Sequence, residues 1–151
     1  MSIRNKRLIK ELAQLNNYNV KLDKNWMDQE AIITFSRKNM NMSICIPEGY
    51  PFSHPKMCIH TKTTKIDHII WFLQKKLYYK NIVDEFNINI PCICCNTITC
   101  IWTPTLTIKH MMDEFDKYYD YYYDITKFKL IYNKINGFDN LIYRRIVHFL
   151  Y

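Results

Sequence analysis

Glycine is almost missing from this chain, with two glycines and five prolines among 151 residues. This scarcity excludes a flexible linker rich in these residues, and the chain shows no internal repeat. No apolar run approaches the roughly 20 residues needed to cross a bilayer. The N-terminus reaches Glu11 before any apolar segment, unlike a signal peptide. We therefore expect one soluble domain, residues 1–151, located in the cytoplasm and/or nucleus.

Charge of one sign is in excess, with a formal net charge of +7. The basic residues are dispersed, however, and Lys75-Lys76 and Arg144-Arg145 are pairs rather than runs. Without a recognised nucleic-acid motif, this pattern favours a solvated basic surface over a nucleic-acid partner. A basic nucleic-acid binder on an unrelated α+β fold remains an alternative, and it predicts strongly salt-dependent binding.

Six cysteines are present, and in a chain that is not secreted they are expected to be free thiols. Cys92 and Cys95 form one C-x-x-C pair, whereas structural zinc normally needs two such pairs a dozen or more residues apart. No metal site is therefore predicted, and a redox pair lacks the usual strand-to-helix context. Cys45 and Cys58 fall on predicted strands, where we expect buried structural thiols.

Periodicity divides the first part of the chain into a helix and a set of strands. Leu8, Leu12 and Leu15 recur at helical spacing, which predicts an amphipathic N-terminal helix. Short β-favouring runs follow, separated by polar or proline-containing breaks. They cover residues 18–22, 31–35, 42–46 and 56–60. The expected arrangement is a four-stranded antiparallel meander.

The second part of the chain is predicted to be mainly helical. In residues 61–85, apolar residues spaced i, i+4, i+7 and i+11 indicate a helix, with Asp67 as its N-cap. A long helix is predicted from Ile108 to at least Tyr122, and Gly137 separates it from a last helical stretch over 139–151. The apolar residues of the first of these helices are Ile66, Ile70, Leu73 and Leu77. The fold class is therefore α+β.

Motifs in this order resemble those of the ubiquitin-conjugating enzymes. Together they cover roughly residues 4–60 and 86–122. The matching stretches are Arg7-Leu8-Ile9-Lys10-Glu11-Leu12 for the family's first helix, Pro47 to Pro55 for its Pro-x-x-Tyr-Pro-Phe-x-x-Pro turn, Ile93-Cys94 for its nucleophile, and Trp102 to Ile108 for its Trp-Ser-Pro-Ala-Leu-Thr-Ile segment. The resemblance implies a single ubiquitin-conjugating core domain, with an N-terminal helix, a meander, an active-site loop and C-terminal helices.

The chain departs from the family pattern in three places. The family's His-Pro-Asn has no intact copy, and Asn87 is the nearest approach. Residues 61–85 exceed the corresponding family link and are expected to form an inserted helix near the active site. The acidic, proline-containing loop after the second family helix is not recognisable, so residues 123–151 form a divergent tail.

The resemblance implies a cysteine that accepts ubiquitin, or a ubiquitin-like modifier, as a thioester and passes it to a lysine or a ligase. Cys94 is the preferred nucleophile, since it lies eight residues before Trp102, but the spacing from Asn87 suits Cys95 better. Asn87 is the candidate amide donor to the thioester oxygen, or else only tightens a turn. The family's chemistry needs no metal and no organic cofactor.

Partner surfaces also follow from the resemblance. The basic face of the first helix would meet the ubiquitin-activating enzyme, and an exposed aromatic with a proline loop would meet a ubiquitin ligase. The residues concerned are Arg4, Lys6, Arg7 and Lys10 for the first surface and Phe52, Pro104 and Thr105 for the second. The main alternative is a catalytically inactive relative that acts as a scaffold or ubiquitin-binding module.

Overall fold

The computed structural model describes residues 2–15, 18–23, 26, 30–90, 92 and 97–134. They form an α+β structure, which confirms the predicted fold class. In chain order the elements are α1 (Ile3–Gln14), β1 (Lys21–Leu22), β2 (Ala31–Arg37), β3 (Met40–Ile46), β4 (Lys56–His60), β5 (Lys65–Asp67), α2 (His68–Tyr78), α3 (Lys80–Glu85) and α4 (Ile108–Lys134). The helix predicted over 139–151 lies outside the described residues.

The strands form one open antiparallel sheet in which β1 to β5 lie side by side in chain order. β2 and β3 pair along their whole length, from Ala31 opposite Ile46 to Arg37 opposite Met40. The two residues that join them, Lys38 and Asn39, both have positive φ, and such turns match the twist of the strands they join. The predicted meander is thus present.

The number of strands predicted from the sequence was wrong, because the sheet has five strands rather than four. The additional strand, β5, pairs with β4 and places Cys58 opposite Asp67. A turn over 61–64 makes this hairpin possible, since the Thr61 N–H donates to the Thr64 carbonyl at 2.8 Å. This turn contains neither glycine nor proline, so the sequence carries no strong signal for it.

Successive side chains of a strand point to opposite faces of the sheet, and one of these faces packs against the helices. Ile33, Ile44 and Met57, one from each central strand, are completely buried. They belong to the same core cluster as Ile108 and Phe115 of α4. α4 continues for 27 residues, well beyond Tyr122, so the first residues of the predicted divergent tail are helical.

The segment predicted to be an insertion, which we call the inserted part, joins the same core through α2. Asp67 caps this helix as predicted, because its carboxylate accepts the Ile69 N–H at 2.8 Å. Ile70, Leu73 and Leu77, which predicted the helix, are exposed rather than buried in the core, with Leu77 at 72%. Ile66, the fourth such residue, lies in β5. Phe72 is the buried residue instead, with its ring centroid 5.3 Å from that of Phe115. α2 therefore has apolar side chains on two faces, and the stronger periodicity marks the outer one.

Candidate functional site

A buried carboxylate connects the first helix to two distant segments. Glu11 is 3% exposed and accepts the Tyr50 hydroxyl at 2.6 Å and the Ile108 N–H at 2.8 Å, 97 residues away. Arg7 forms an ion pair with the same carboxylate and also donates to the Leu106 carbonyl at 3.1 Å. Burial, followed by Glu11, raises the pKa of Tyr50, so its hydroxyl stays protonated as a donor. The motif segments around residues 11, 50 and 106–108 are therefore fixed to one another.

The proline-bounded turn and Trp102 are joined directly. The Trp102 indole N–H donates to the Pro51 carbonyl at 2.7 Å, and its ring centroid lies 5.9 Å from that of Tyr50. Phe52 is left 73% exposed beside them. An open groove of about 530 Å³ runs along this junction. It is lined by Pro47, Phe52, Ser53, His54, Lys56, Thr99, Cys100 and Trp102.

Asn87 terminates α3 through its backbone. Its φ is 53°, a left-handed conformation that asparagine tolerates better than most residues. The Ile88 N–H donates to the Val83 carbonyl at 2.9 Å and the Asn87 N–H to the Asp84 carbonyl at 3.4 Å, the pattern of a Schellman cap. The exposed side chain is not required for this cap. The structure thus shows the turn-forming role that the sequence left open, while the amide-donor role stays a prediction.

Beyond Asn87 lies the stretch from 89 to 98, which we name the cysteine segment, and its described residues Asn89 and Ile98 are bound by side chains of α4. The Tyr121 hydroxyl donates to the Asn89 carbonyl at 2.7 Å. Burial, then Glu114, then the Cys92 thiol raise the pKa of the hydroxyl of Tyr118, one turn earlier on α4. Tyr118 and Tyr121 share a face of that helix.

The far end of the cysteine segment is bound by Glu114. Both carboxylate oxygens accept the Ile98 N–H, at 2.9 and 3.1 Å. Burial raises the pKa of Glu114, and the hydrogen bond from Ile98 works against this rise. Thr97 beside it is 1% exposed, and its carbonyl accepts the Cys100 N–H at 2.9 Å. Both flanks of the cysteine segment are consequently anchored to α4.

The predicted nucleophile Cys94 and its alternative Cys95 lie outside the described residues. Cys92 and Cys100 on either side of them are exposed to solvent. Cys45 and Cys58 are half-buried on the outer face of the sheet, so they are less buried than predicted. Burial raises the pKa of both thiols, which makes them poor nucleophiles at neutral pH.

The residues predicted to meet the activating enzyme do not share one surface. Arg4 is 7% exposed and donates to the Trp26 carbonyl at 2.6 Å. Arg7 is half-buried in the Glu11 network, whereas Lys6 and Lys10 are exposed. The predicted basic face is thereby reduced to two lysines, because both arginines have partners inside the protein.

The residues predicted to meet a ligase are all exposed: Phe52, Pro104 and Thr105. The bond from Trp102 to Pro51 brings the turn that carries Phe52 next to the segment that carries Pro104. The Thr105 hydroxyl is 2.7 Å from that of Thr103, which tightens the second segment. These residues therefore border one region of the surface.

Two functional-site residues, Glu11 and Glu114, had been given no role from the sequence. A signal for Glu11 exists, since it shares a helix face with Leu8 and Leu15, both completely buried. A carboxylate on the apolar face of a helix needs a buried partner. Glu114 gives no comparable signal, because its partner is the backbone N–H of a loop.

Among the described residues, no group of three or more histidine, cysteine, aspartate or glutamate side chains is arranged to hold a metal ion. No helix in that part of the chain is both long and apolar enough to cross a membrane. Comparisons with protein-family models, with curated proteins and with solved structures gave no match. What the structure itself defines is an α+β protein with an open five-stranded antiparallel sheet.

Proposed function

We propose that this protein is a divergent ubiquitin-conjugating enzyme. It accepts ubiquitin, or a ubiquitin-like modifier, from an activating enzyme as a thioester at Cys94 and transfers it to a substrate lysine or to a ligase. The proposal rests on the four motif stretches in the sequence, and the geometry of the described residues supports it.

The observation that carries the proposal is the convergence of three motif segments that are distant in sequence. Glu11 of the first helix bonds to Tyr50 of the proline-bounded turn and to Ile108 after the Trp102 motif. Trp102 in turn bonds to Pro51. This convergence supports the proposal because it brings together segments that the sequence had separately matched to motifs of that family.

The anchored cysteine segment suits acyl transfer. In the first step the thiolate attacks the modifier's C-terminal thioester carbonyl, its sulfur–carbon bond forms, and the activating enzyme's cysteine leaves as a thiolate. In the second step an amine nitrogen attacks the same carbonyl, the cysteine leaves, and the amine loses a proton to solvent. Fixed flanks favour both steps because they limit the positions the thiol can take.

An inactive binding module is the second candidate, and the absence of an intact His-Pro-Asn motif favours it. Asn87, the nearest approach to that motif, caps α3 through its backbone, and its exposed side chain stays a candidate donor only. A protein without that donor would retain the groove beside Phe52 as a docking surface while transferring the modifier slowly or not at all.

A charging assay tests the proposal. Purified protein is incubated with ubiquitin-activating enzyme, ATP and ubiquitin and run on a non-reducing gel, with Cys94→Ala, Cys95→Ala and Cys100→Ala beside it. We expect a thiol-sensitive adduct that is lost in Cys94→Ala and retained in Cys100→Ala, an exposed thiol outside the cysteine segment.

Loss in Cys95→Ala alone would move the nucleophile by one residue. Absence of an adduct with ubiquitin and with ubiquitin-like modifiers, each offered with its own activating enzyme, would reject the enzyme in favour of the binding module.

A further inference from the structure

Glu114 of α4 accepts a backbone N–H from the turn over residues 97–101, and this N–H has no partner within that turn. Residues 97–101 form one helical turn, in which the Thr97 carbonyl accepts the Cys100 and Ile101 N–H groups at 2.9 and 3.1 Å. The first N–H groups of such a turn have no partner within it. The Ile98 N–H is one of them, and it donates to both oxygens of Glu114.

The position of this turn determines where the cysteine segment ends. Thr97 is buried in the turn, and Trp102, directly after it, is tied to Pro51. On the other side, the Asn89 carbonyl is held by Tyr121, seven residues after Glu114 on α4. The Glu114 bond thus connects α4 to one flank of Cys94 and Cys95, and the Tyr121 bond connects α4 to the other flank.

We infer that Glu114 is a positioning residue for the thiol that reacts in the proposed function, on which this inference rests. Its carboxylate holds the Ile98 N–H, so the turn over 97–101, where the cysteine segment ends, keeps its place on α4.

The experiment compares Glu114→Ala with Glu114→Gln, which keeps a side-chain oxygen as acceptor. Asp113→Ala is the matched control, because it also removes a carboxylate from α4, but one that is exposed and paired with Lys109. The readouts are hydrogen exchange at the Ile98 amide, iodoacetamide alkylation of Cys94 and Cys95 by mass spectrometry, and single-turnover charging with ubiquitin. The first two need no activating enzyme.

In Glu114→Ala we expect faster exchange at Ile98, faster alkylation of the two cysteines, and a maximal charging rate at least about tenfold lower. The concentration of charged activating enzyme that gives half this rate should not change, because Glu114 lies on no partner surface proposed above. The charging rate of Glu114→Gln should be within about twofold of wild type. Such a result would show that the side-chain oxygen positions the turn and that its negative charge is not required.

Unchanged alkylation and exchange in a folded Glu114→Ala variant would overturn the inference. If that variant does not fold, a tenfold or greater loss of charging in a folded Glu114→Gln would contradict it equally. If the wild-type protein forms no adduct, the proposed function fails, while exchange and alkylation still decide whether Glu114 fixes the cysteine segment.

Discussion

Two parts of this protein are held together by different forces. Around α1, the 47–55 turn and the start of α4, a buried carboxylate bonds to groups far away in the sequence. The inserted part, from β5 to α3, packs mainly through rings: Phe72 stacks against α4, and Phe86 lies edge-to-face with Phe128 at 4.9 Å. Directional hydrogen bonds hold the first part together, whereas packing between aromatic rings holds the second.

This difference sets how each part tolerates substitution. A buried carboxylate with several donors leaves all of them unpaired when it is removed, and each unpaired group costs free energy. An aromatic contact has broad geometric preferences, so another apolar side chain of similar size retains much of it. The motif-bearing part is thus the more strictly specified of the two.

Glu11→Ala should have the largest effect, because Tyr50 and Ile108 would lose their acceptor and Arg7 its ion-pair partner. We expect the free energy of unfolding to fall by about 3–5 kcal/mol. Urea denaturation followed by circular dichroism measures it. Lys10→Ala, an exposed neighbour on the same helix, should change it by less than about 0.5 kcal/mol. Equal effects from the two variants would contradict the Glu11 network.

Phe72→Leu tests the inserted part with a milder change. Phe72 is 1% exposed, but leucine keeps an apolar side chain in the same space. We expect a loss of about 1–2 kcal/mol in the same denaturation experiment. Leu73→Ala, one residue further on the outer face of α2, serves as the control and should change stability by less than about 0.5 kcal/mol. A loss for Phe72→Leu as large as that for Glu11→Ala would remove the contrast between the two parts.

The smallest expected effect is a pH dependence that originates in the inserted part. Burial lowers the pKa of His68, although Asp67 opposes this, and its ring nitrogen Nδ1 is 3.1 Å from the Met57 carbonyl. The unfolded chain therefore binds a proton that the folded protein does not. Stability should fall as pH drops below about 6.5, the ordinary histidine pKa.

Denaturation at pH 7.5 and 5.5 measures this dependence, and His68→Asn should reduce it. His60 has a pKa lowered in the same direction by burial, then by Lys65, so His60→Asn is the necessary comparison. If the stability of His68→Asn depends on pH as strongly as that of the wild type, His68 is not the source of the pH dependence.

The sequence predicted local structure well where the pattern is local. β4 matches its predicted bounds, β2 and β3 extend the predicted runs by two residues each, and the Asp67 cap starts α2. Strict alternation and a capping carboxylate depend only on neighbouring residues. The first strand shortened from 18–22 to Lys21–Leu22, since its pairing with β2 extends over those two residues alone.

Features that depend on distant contacts were not predictable in this way. On α2 the apolar residues with the better helical spacing lie on the outer face. Phe72 is nevertheless the buried residue, because its ring packs against Phe115, Tyr118 and Tyr122 of α4. Arg4 looked like part of a basic surface until the fold supplied the Trp26 carbonyl as its partner. Charge and periodicity describe a single element, whereas burial is decided by the elements packed against it.

The hydrogen bond between Glu11 and the Ile108 N–H forms late in synthesis, because the ribosome makes α1 long before it makes the start of α4. At roughly 5–20 residues per second, about 5–20 seconds separate the synthesis of the two partners. During that interval Glu11 has Arg7 on its own helix, and later Tyr50, but not the amide that completes its set of bonds. α1, although it precedes the other described elements in the chain, is therefore among the last of them to be fully locked into the fold.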